Sequence, residues 1–383
     1  MESSTAPLEM HLTPSPTTPW YDAANGSSYN STFASPPTYL TTWVTLANVV
    51  VFSVGVFGNT LVIVVLARVK EMKTSTNFCL MNLSIADLLV LLICQPAAML
   101  EFYEQEKWVL GDFMCKLVVF LENLVTNASI LIILLVSCGR YNAVCRPLEA
   151  YSRGNKSRTL IAMAMLWIFV ISVTSPLLQM AHTTEEFHLV DHTMVSICIT
   201  PIKYTWHKVY VILTFVSFFV VPLCILVYIY TVIIYKVLRN SMHGQGKDSS
   251  KVQANNPRTQ LVSMLVGIIV LFFVCLLPFR IVALWMVFAP SEEINKLDLE
   301  HLINLMAFVR ILIYVNSAGN PLIYHMFSQK FRKAFNKAVQ CSRGETRRGS
   351  SHTATVTHYS FARSNEYECV TRINSSMPQL NMN

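Results

Sequence analysis

Five ionisable side chains interrupt stretches that are otherwise apolar: Asp87, Glu122, Arg140, Arg280 and Arg310. A charge in hydrocarbon costs about 2.5–3.5 kcal/mol on insertion scales, so each of the five needs a compensating role. Asp87, in Asn82-Leu-Ser-Ile-Ala-Asp87-Leu-Leu, lies mid-stretch at the depth of Asn59, Ser129, Asn316 and Asn320. A carboxylate ringed by neutral oxygens suits a hydrated Na+ or a proton. The alternative is a hydrogen-bonded structural aspartate. Glu122, Arg280 and Arg310 share another depth, in the outer halves of their stretches. They either pair with one another or meet the opposite charges of a ligand, with the arginine forks taking carbonyl oxygens. Asn123, Thr126, Phe279 and Tyr314 complete this candidate ligand-binding set. Arg140 stands at the inner end of its stretch, where a long side chain can snorkel. No nucleophile–base spacing, metal cluster or phosphate-cradling loop stands out, so the chain is not expected to be an enzyme.

Such groups need long elements to carry them through an apolar medium. The chain has 383 residues, 53% of them hydrophobic and 13% charged. A soluble globular chain carries about 25% charged residues, so the balance points to a membrane. The apolar residues fall into seven blocks, near 41–67, 77–100, 114–137, 159–180, 209–236, 260–288 and 301–325. Each is long enough for a helix of about 20 residues to cross a hydrocarbon core. The expected fold is all-α: a seven-transmembrane helix bundle with a short amphipathic eighth helix. Most of the ten cysteines are scattered through the apolar blocks, which argues against a disulfide framework.

Lysine and arginine placement sets the expected topology. Arg68, Lys70 and Lys73, then Arg146, Arg153, Lys156 and Arg158, then Lys236, Arg239, Lys247, Lys251 and Arg258 fall on one side. The other side has five lysines against fourteen acidic residues. The N-terminus is therefore expected outside, the C-terminus inside, in the plasma membrane. Residues 1–39 are rich in Ser, Thr and Pro and read as a disordered outer tail, with sequons at Asn25 and Asn30 as glycosylation candidates. The tail lacks an apolar signal region, so the first block is expected to act as its own signal anchor. Cys115 and Cys198 both fall on the outer side, where a disulfide persists.

The bundle is expected over 40–327. Beyond it, Phe327, Phe331, Phe335 and Val339 recur every four residues between Lys330, Arg332, Lys333 and Lys337. That pattern predicts a basic amphipathic helix over 328–341 lying on an anionic leaflet, with Cys341 as a lipidation site. Residues 342–383 read as a disordered, Ser- and Thr-rich inner tail open to phosphorylation.

Taken in order, Gly58-Asn59, Leu-Ser-Ile-Ala-Asp87-Leu, Trp108 before Cys115, Arg140-Tyr141, Trp167, Pro222, Pro278 and Asn320-Pro321-Leu322-Ile323-Tyr324 resemble the rhodopsin-like class of G-protein-coupled receptors over about 40–341. Within that class, Asn82–Leu92, Trp108–Lys116, Phe273–Arg280 and Arg310–Tyr324 resemble receptors for thyrotropin-releasing hormone, ghrelin and, nearest, arthropod ecdysis-triggering hormone. The resemblance implies a receptor for a short, basic, amidated neuropeptide, coupled through Gq to calcium. It implies a sodium site at Asp87, Ser129, Asn316 and Asn320, with that allosteric ion as the sole cofactor. It makes Arg140, Tyr141, Tyr230 and Tyr324 the coupling switch, and Pro222, Ile130 and Phe272 the repacking trio. Its partners would be the peptide, a heterotrimeric G protein, receptor kinases and arrestin, and membrane lipid, with no nucleic acid.

Two positions depart from the class pattern. Gly139 replaces the acidic residue before Arg140, and Leu276 replaces the tryptophan before Pro278. Without that carboxylate to restrain Arg140, raised ligand-free signalling is expected. Rival readings differ in what they need. An opsin needs a lysine in the seventh block, which has none. An amine receptor prefers Asp at the Glu122 position. A lipid receptor stays open, because arginine pairs also hold carboxylates. A channel or transporter would show repeats or interrupted spans in matching positions, and none is found.

Overall fold

The structure is a computed structural model that describes residues 37–69, 72, 74–104, 107–146, 156–188, 193–243, 257–289 and 299–335. Among these are seven helices long and apolar enough to cross a membrane. Helix is the form an isolated apolar span must take, because lipid offers no partner for backbone N–H and C=O groups. We label them α1 (Thr38–Arg68), α2 (Ser75–Tyr103), α3 (Gly111–Cys145), α4 (Lys156–Thr174), α5 (Thr205–Phe215 continuing into Val221–His243), α6 (Pro257–Phe288) and α7 (Leu299–Phe327). Thr74 caps α2 by accepting from the Asn77 N–H at 3.3 Å. A π turn at Val90–Cys94 in α2 and another at Val216–Val220 in α5 each shift the facing of the residues beyond it. Pro278 and Pro321 lie inside α6 and α7.

The helices meet where side chains are small. A Cβ on Gly55 would come within 2.6 Å of Leu91 and 3.3 Å of the Ala318 backbone, and one on Gly58 within 2.8 Å of Pro321. α1 and α7 therefore approach backbone to backbone, as small residues permit in membranes. Polar side chains tie α1 to α7 and to α2. Asn59 Nδ2 donates to the Ser317 carbonyl at 3.0 Å, and Gln95 Nε2 donates to Asn48 Oδ1 at 2.9 Å. The main apolar cluster runs through α3, α5, α6 and α7 and contains Ile130, Phe272 and Tyr324. Large apolar residues left uncovered, such as Phe57, Met165, Tyr228 and Val274, face where lipid would lie.

One element departs from the all-helical expectation. Residues His182–His188 (β1) and Thr193–Ile199 (β2) form an antiparallel hairpin with Thr183 opposite Cys198 and Glu186 opposite Val195. Cys198 is bonded to Cys115 in the first turns of α3, with Cα atoms 5.6 Å apart. Trp108 N donates to the Ser196 carbonyl at 2.7 Å, and Asp112 Oδ1 accepts from the Thr183 N–H at 3.0 Å. Gly111, at φ 77°, makes the turn that starts α3. These links fix the hairpin over one mouth of the bundle, here termed the hairpin end.

At the opposite end, residues 329–335 form the start of the eighth helix. Ser328 Oγ accepts from the Phe331 N–H at 3.2 Å, and Gln260 Oε1, reaching across from α6, accepts from the Gln329 N–H at 3.2 Å. The apolar stripe does not all face outward as its spacing suggests. Phe331 is buried against Tyr324, with ring centroids 5.8 Å apart, whereas Lys330, Arg332 and Lys333 are exposed. Asn25, Asn30 and Cys341 lie outside the described residues.

Candidate functional site

Below the hairpin, α3, α6 and α7 line a small hollow of about 20 Å³, bordered by Glu122, Asn123, Thr126, Leu276, Phe279, Arg280 and Ile313. Five of these are residues nominated from the sequence. Glu122 Oε1 accepts a hydrogen bond from Tyr314 Oη at 2.8 Å, and Tyr314 is itself buried. Arg280 forms no ion pair among the described residues, and its Nε is sealed from solvent without an acceptor. An unpaired guanidinium N–H in that setting is costly, so the hollow favours an occupant that accepts hydrogen bonds.

Arg310 pairs with a residue of another helix. Its Nη1 lies 2.7 Å from Glu101 Oε2 in α2, and it is not among the residues lining the hollow. Of the three charged groups grouped by depth, Glu122 thus takes a tyrosine, Arg310 takes a glutamate from another helix, and Arg280 is left over. Leu276, at the position of the missing tryptophan, forms part of the hollow's wall.

The second site lies midway down the bundle. Asp87 is fully buried, and its Oδ2 accepts from Asn320 Nδ2 at 2.9 Å. Asp87 Oδ1, Asn59 Oδ1, Ser84 Oγ and Ser129 Oγ are buried without a hydrogen-bond partner, and Asn316 and Ser317 are buried nearby in sequence on α7. One carboxylate with several unsatisfied neutral oxygens is a donor set for a hard cation, and these residues fit one.

The third site is the end remote from the hairpin. Arg140 Nη2 donates to Thr76 Oγ1 in the first turn of α2. Tyr230 Oη meets Ser137 Oγ at 3.2 Å, and the buried Tyr324 hydroxyl has no partner. Tyr141 is half-buried beside the main cluster. A Cβ on Gly139 would meet nothing within 4 Å. The partner of the arginine here is a hydroxyl on a neighbouring helix rather than a carboxylate on its own.

Glu101 and Thr76 were not nominated from the sequence. Each falls one residue beyond the apolar block read there, a position that hydropathy alone does not mark. Glu186 was missed with the hairpin. Strand alternation puts it on the same face as Val195, Ile197 and the buried Ile199, opposite the exposed Glu185 and Met194. Burial there pushes its carboxyl above the usual carboxylate range.

The family described as 7 transmembrane receptor (rhodopsin family) matches residues 58–324. Growth hormone secretagogue receptor type 1 of Oryctolagus cuniculus is 31% identical over 308 residues, 79% of this chain and 82% of that receptor. A QRFP-like peptide receptor of Branchiostoma floridae is 30% identical over 299 residues, covering 76% of each chain. Somatostatin receptor type 5 of Rattus norvegicus is 32% identical over 350 residues, 88% of this chain and 89% of that one.

The Glu101–Arg310 pair is open to a double-mutant cycle. Glu101→Gln and Arg310→Gln should each lower the melting midpoint of purified protein, and the double variant should lose less than the two losses added. We expect a coupling of about 1–3 kcal/mol. Strict additivity would show that the pair carries no net interaction.

Proposed function

Because the chain belongs to the rhodopsin family of seven-transmembrane receptors, we propose that it is a plasma-membrane receptor for a short, basic, C-terminally amidated neuropeptide, signalling through a Gq-type G protein to calcium. The observation that carries this is the hollow beneath the hairpin, which joins Glu122 to an Arg280 lacking any acceptor. A peptide offers backbone and terminal carbonyls for such a guanidinium. Relatives are named for peptide ligands: QRFP-like peptide and allatostatin-A. Placement beside the ecdysis-triggering hormone receptors rests on the Leu-Leu-Pro-Phe-Arg280 run and Glu122.

The hairpin end faces outward and the Arg140 end faces the cytoplasm, following the basic loops. The excess of acidic residues on the outer side draws a basic peptide in and raises its encounter rate. Asn25 and Asn30 carry glycans, Cys341 carries a lipid anchor, and the basic residues after α7 lie at the anionic leaflet. Receptor kinases and arrestin act on the Ser- and Thr-rich tail.

The bundle works as a two-state device, so the ligand acts only through tighter binding to the active arrangement. In the arrangement described, Arg140 is tied to Thr76 and Tyr230 to Ser137. Activation releases Arg140 into a cavity that admits the G protein, where Tyr230 and Tyr324 turn to hold it. Asp87, Ser129, Asn316 and Asn320, with the unpartnered buried oxygens of Asn59 and Ser84 as further donors, would hold Na+ in the resting arrangement. Bound there, the ion would supply a counter-charge to Asp87.

Three measurements test this reading. In transfected cells challenged with a panel of amidated peptides, the most active peptide should lose about 30-fold or more in calcium potency on Arg280→Ala, the size of an interface hot spot. Unchanged potency would remove Arg280 from the binding site. Thr76→Ala should raise ligand-free output and Gly139→Glu should lower it; both leaving the baseline unmoved would discard the restraint on Arg140. Exchanging choline for sodium should lower the melting midpoint of wild-type receptor by the equivalent of about 1–3 kcal/mol and leave Asp87→Asn unaffected. Equal sodium dependence in both would place the ion elsewhere.

A further inference from the structure

At the end remote from the hairpin, one cation serves a helix other than its own. Lys236 of α5 is half-buried, and its Nζ donates to the Cys145 carbonyl at 2.9 Å. Cys145 is the last residue of α3, so its carbonyl belongs to the set at a helix end that has no partner within the helix. The chain leaves helical geometry at Arg146, whose N–H turns back to the Asn142 carbonyl. The last turn of α3 contains no basic residue of its own. The negative end of its dipole is met instead by an ammonium from α5, and partial burial strengthens that charge-assisted bond.

The same seam carries a second link. Tyr230 Oη meets Ser137 Oγ at 3.2 Å, and Ile133, Val136, Ile229 and Ile233 belong to the apolar cluster around it. In α3, Ser137 and Cys145 bracket Arg140 and Tyr141. On α5, Tyr230 and Lys236 stand about 120° apart around the axis, from 3.6 residues per turn. A single link leaves a helix free to roll; two links at different angles around the axis resist both roll and lateral shift. With both in place, α5 is fixed beside Arg140.

We propose that Lys236 is a positioning residue for coupling. By holding the terminus of α3 it keeps α5 from the roll that would free Tyr230 from Ser137 and turn it toward Arg140. This role rests on the reading of the Arg140 end as the face that meets the G protein. It adds a restraint anchored on a backbone oxygen rather than on a side chain of α3. A link present in one arrangement and broken in the other biases the balance by its own strength. Loss of the Lys236 ammonium therefore shifts the bundle toward coupling with no ligand present, and Lys236 need not touch the G protein to do so.

The test uses full-length receptor in membranes with purified Gq-type heterotrimer and no ligand, and reads guanine-nucleotide exchange per receptor. Lys236→Met keeps the length of the side chain and removes the donor. It should raise exchange about two- to fivefold, the scale expected for one cation at a helix C-terminus. Lys236→Ala should do the same, so the result does not hang on the folding of one variant. Lys236→Arg, which can still donate to the carbonyl, should stay at the wild-type rate. Amide hydrogen exchange over residues 230–243 should quicken in the two neutral variants and not in Lys236→Arg. The G-protein concentration for half-maximal exchange should not move. An unchanged or lowered rate in both neutral variants, or a rise that Lys236→Arg shares, overturns this role. A higher half-saturating concentration makes Lys236 a contact of the G protein itself and overturns it too. The wild-type calcium response to the peptide panel depends on coupling alone. A response there beside unmoved exchange here sinks this role and spares the coupling reading; no response there, and no exchange here above receptor-free membranes, removes both.

Discussion

Asp87 is a fully buried side chain at mid-bundle whose carboxylate receives one hydrogen bond from Asn320. In a soluble protein, water could reach such a group or the chain could fold it outward. A helix that must cross lipid has neither option. The group has to be surrounded by polar atoms from neighbouring helices, and those atoms set which faces of α1, α2, α3 and α7 turn inward. Asn59, Ser84, Ser129, Asn316 and Ser317 all turn inward and are buried. Glycines at 55 and 58 then let α1 close on α7. Much of the packing of this half of the bundle follows from where one carboxylate must sit.

The charged groups nearer the hairpin obey the same rule with a different outcome. Arg310 is compensated by Glu101, and Glu122 by a tyrosine hydroxyl. Arg280 is not compensated among the described residues. The structure satisfies two of these three ionisable groups within the protein and leaves the third facing a hollow. The contrast matters more than any one contact, because it separates groups with partners on neighbouring helices from one without an acceptor among the described residues.

The seven spans were legible because hydrocarbon thickness is written directly into hydropathy, and the five intramembrane charges stood out for the same reason. Length was less legible. Hydropathy marks the apolar part of a helix, not its ends, and α2 runs from Ser75 to Tyr103 where the apolar block read 77–100. Thr76 and Glu101, the partners of Arg140 and Arg310, lie in those unmarked margins. Without them neither partner could be named from the sequence. The hairpin was hidden for another reason: His182–His188 is polar and carries no apolar alternation, and its pairing is imposed by the Cys115–Cys198 bond and by Trp108 and Asp112. Pairs of residues far apart in sequence leave no local trace.

The cap that Gln260 places on the Gln329 N–H has a thermodynamic consequence. A helix start loses about 1 kcal/mol when a cap is removed, and here one cap comes from α6 while Ser328 Oγ supplies another from the segment itself. Any tilt of α6 that withdraws Gln260 would loosen the first turn after α7. By reciprocity, anything that firms up that turn, including the adsorption of its basic residues on a charged bilayer, would hold α6 upright. Leaflet composition and helix tilt would then be linked variables, and the surrounding lipid would set the resting bias of the protein before any messenger arrives.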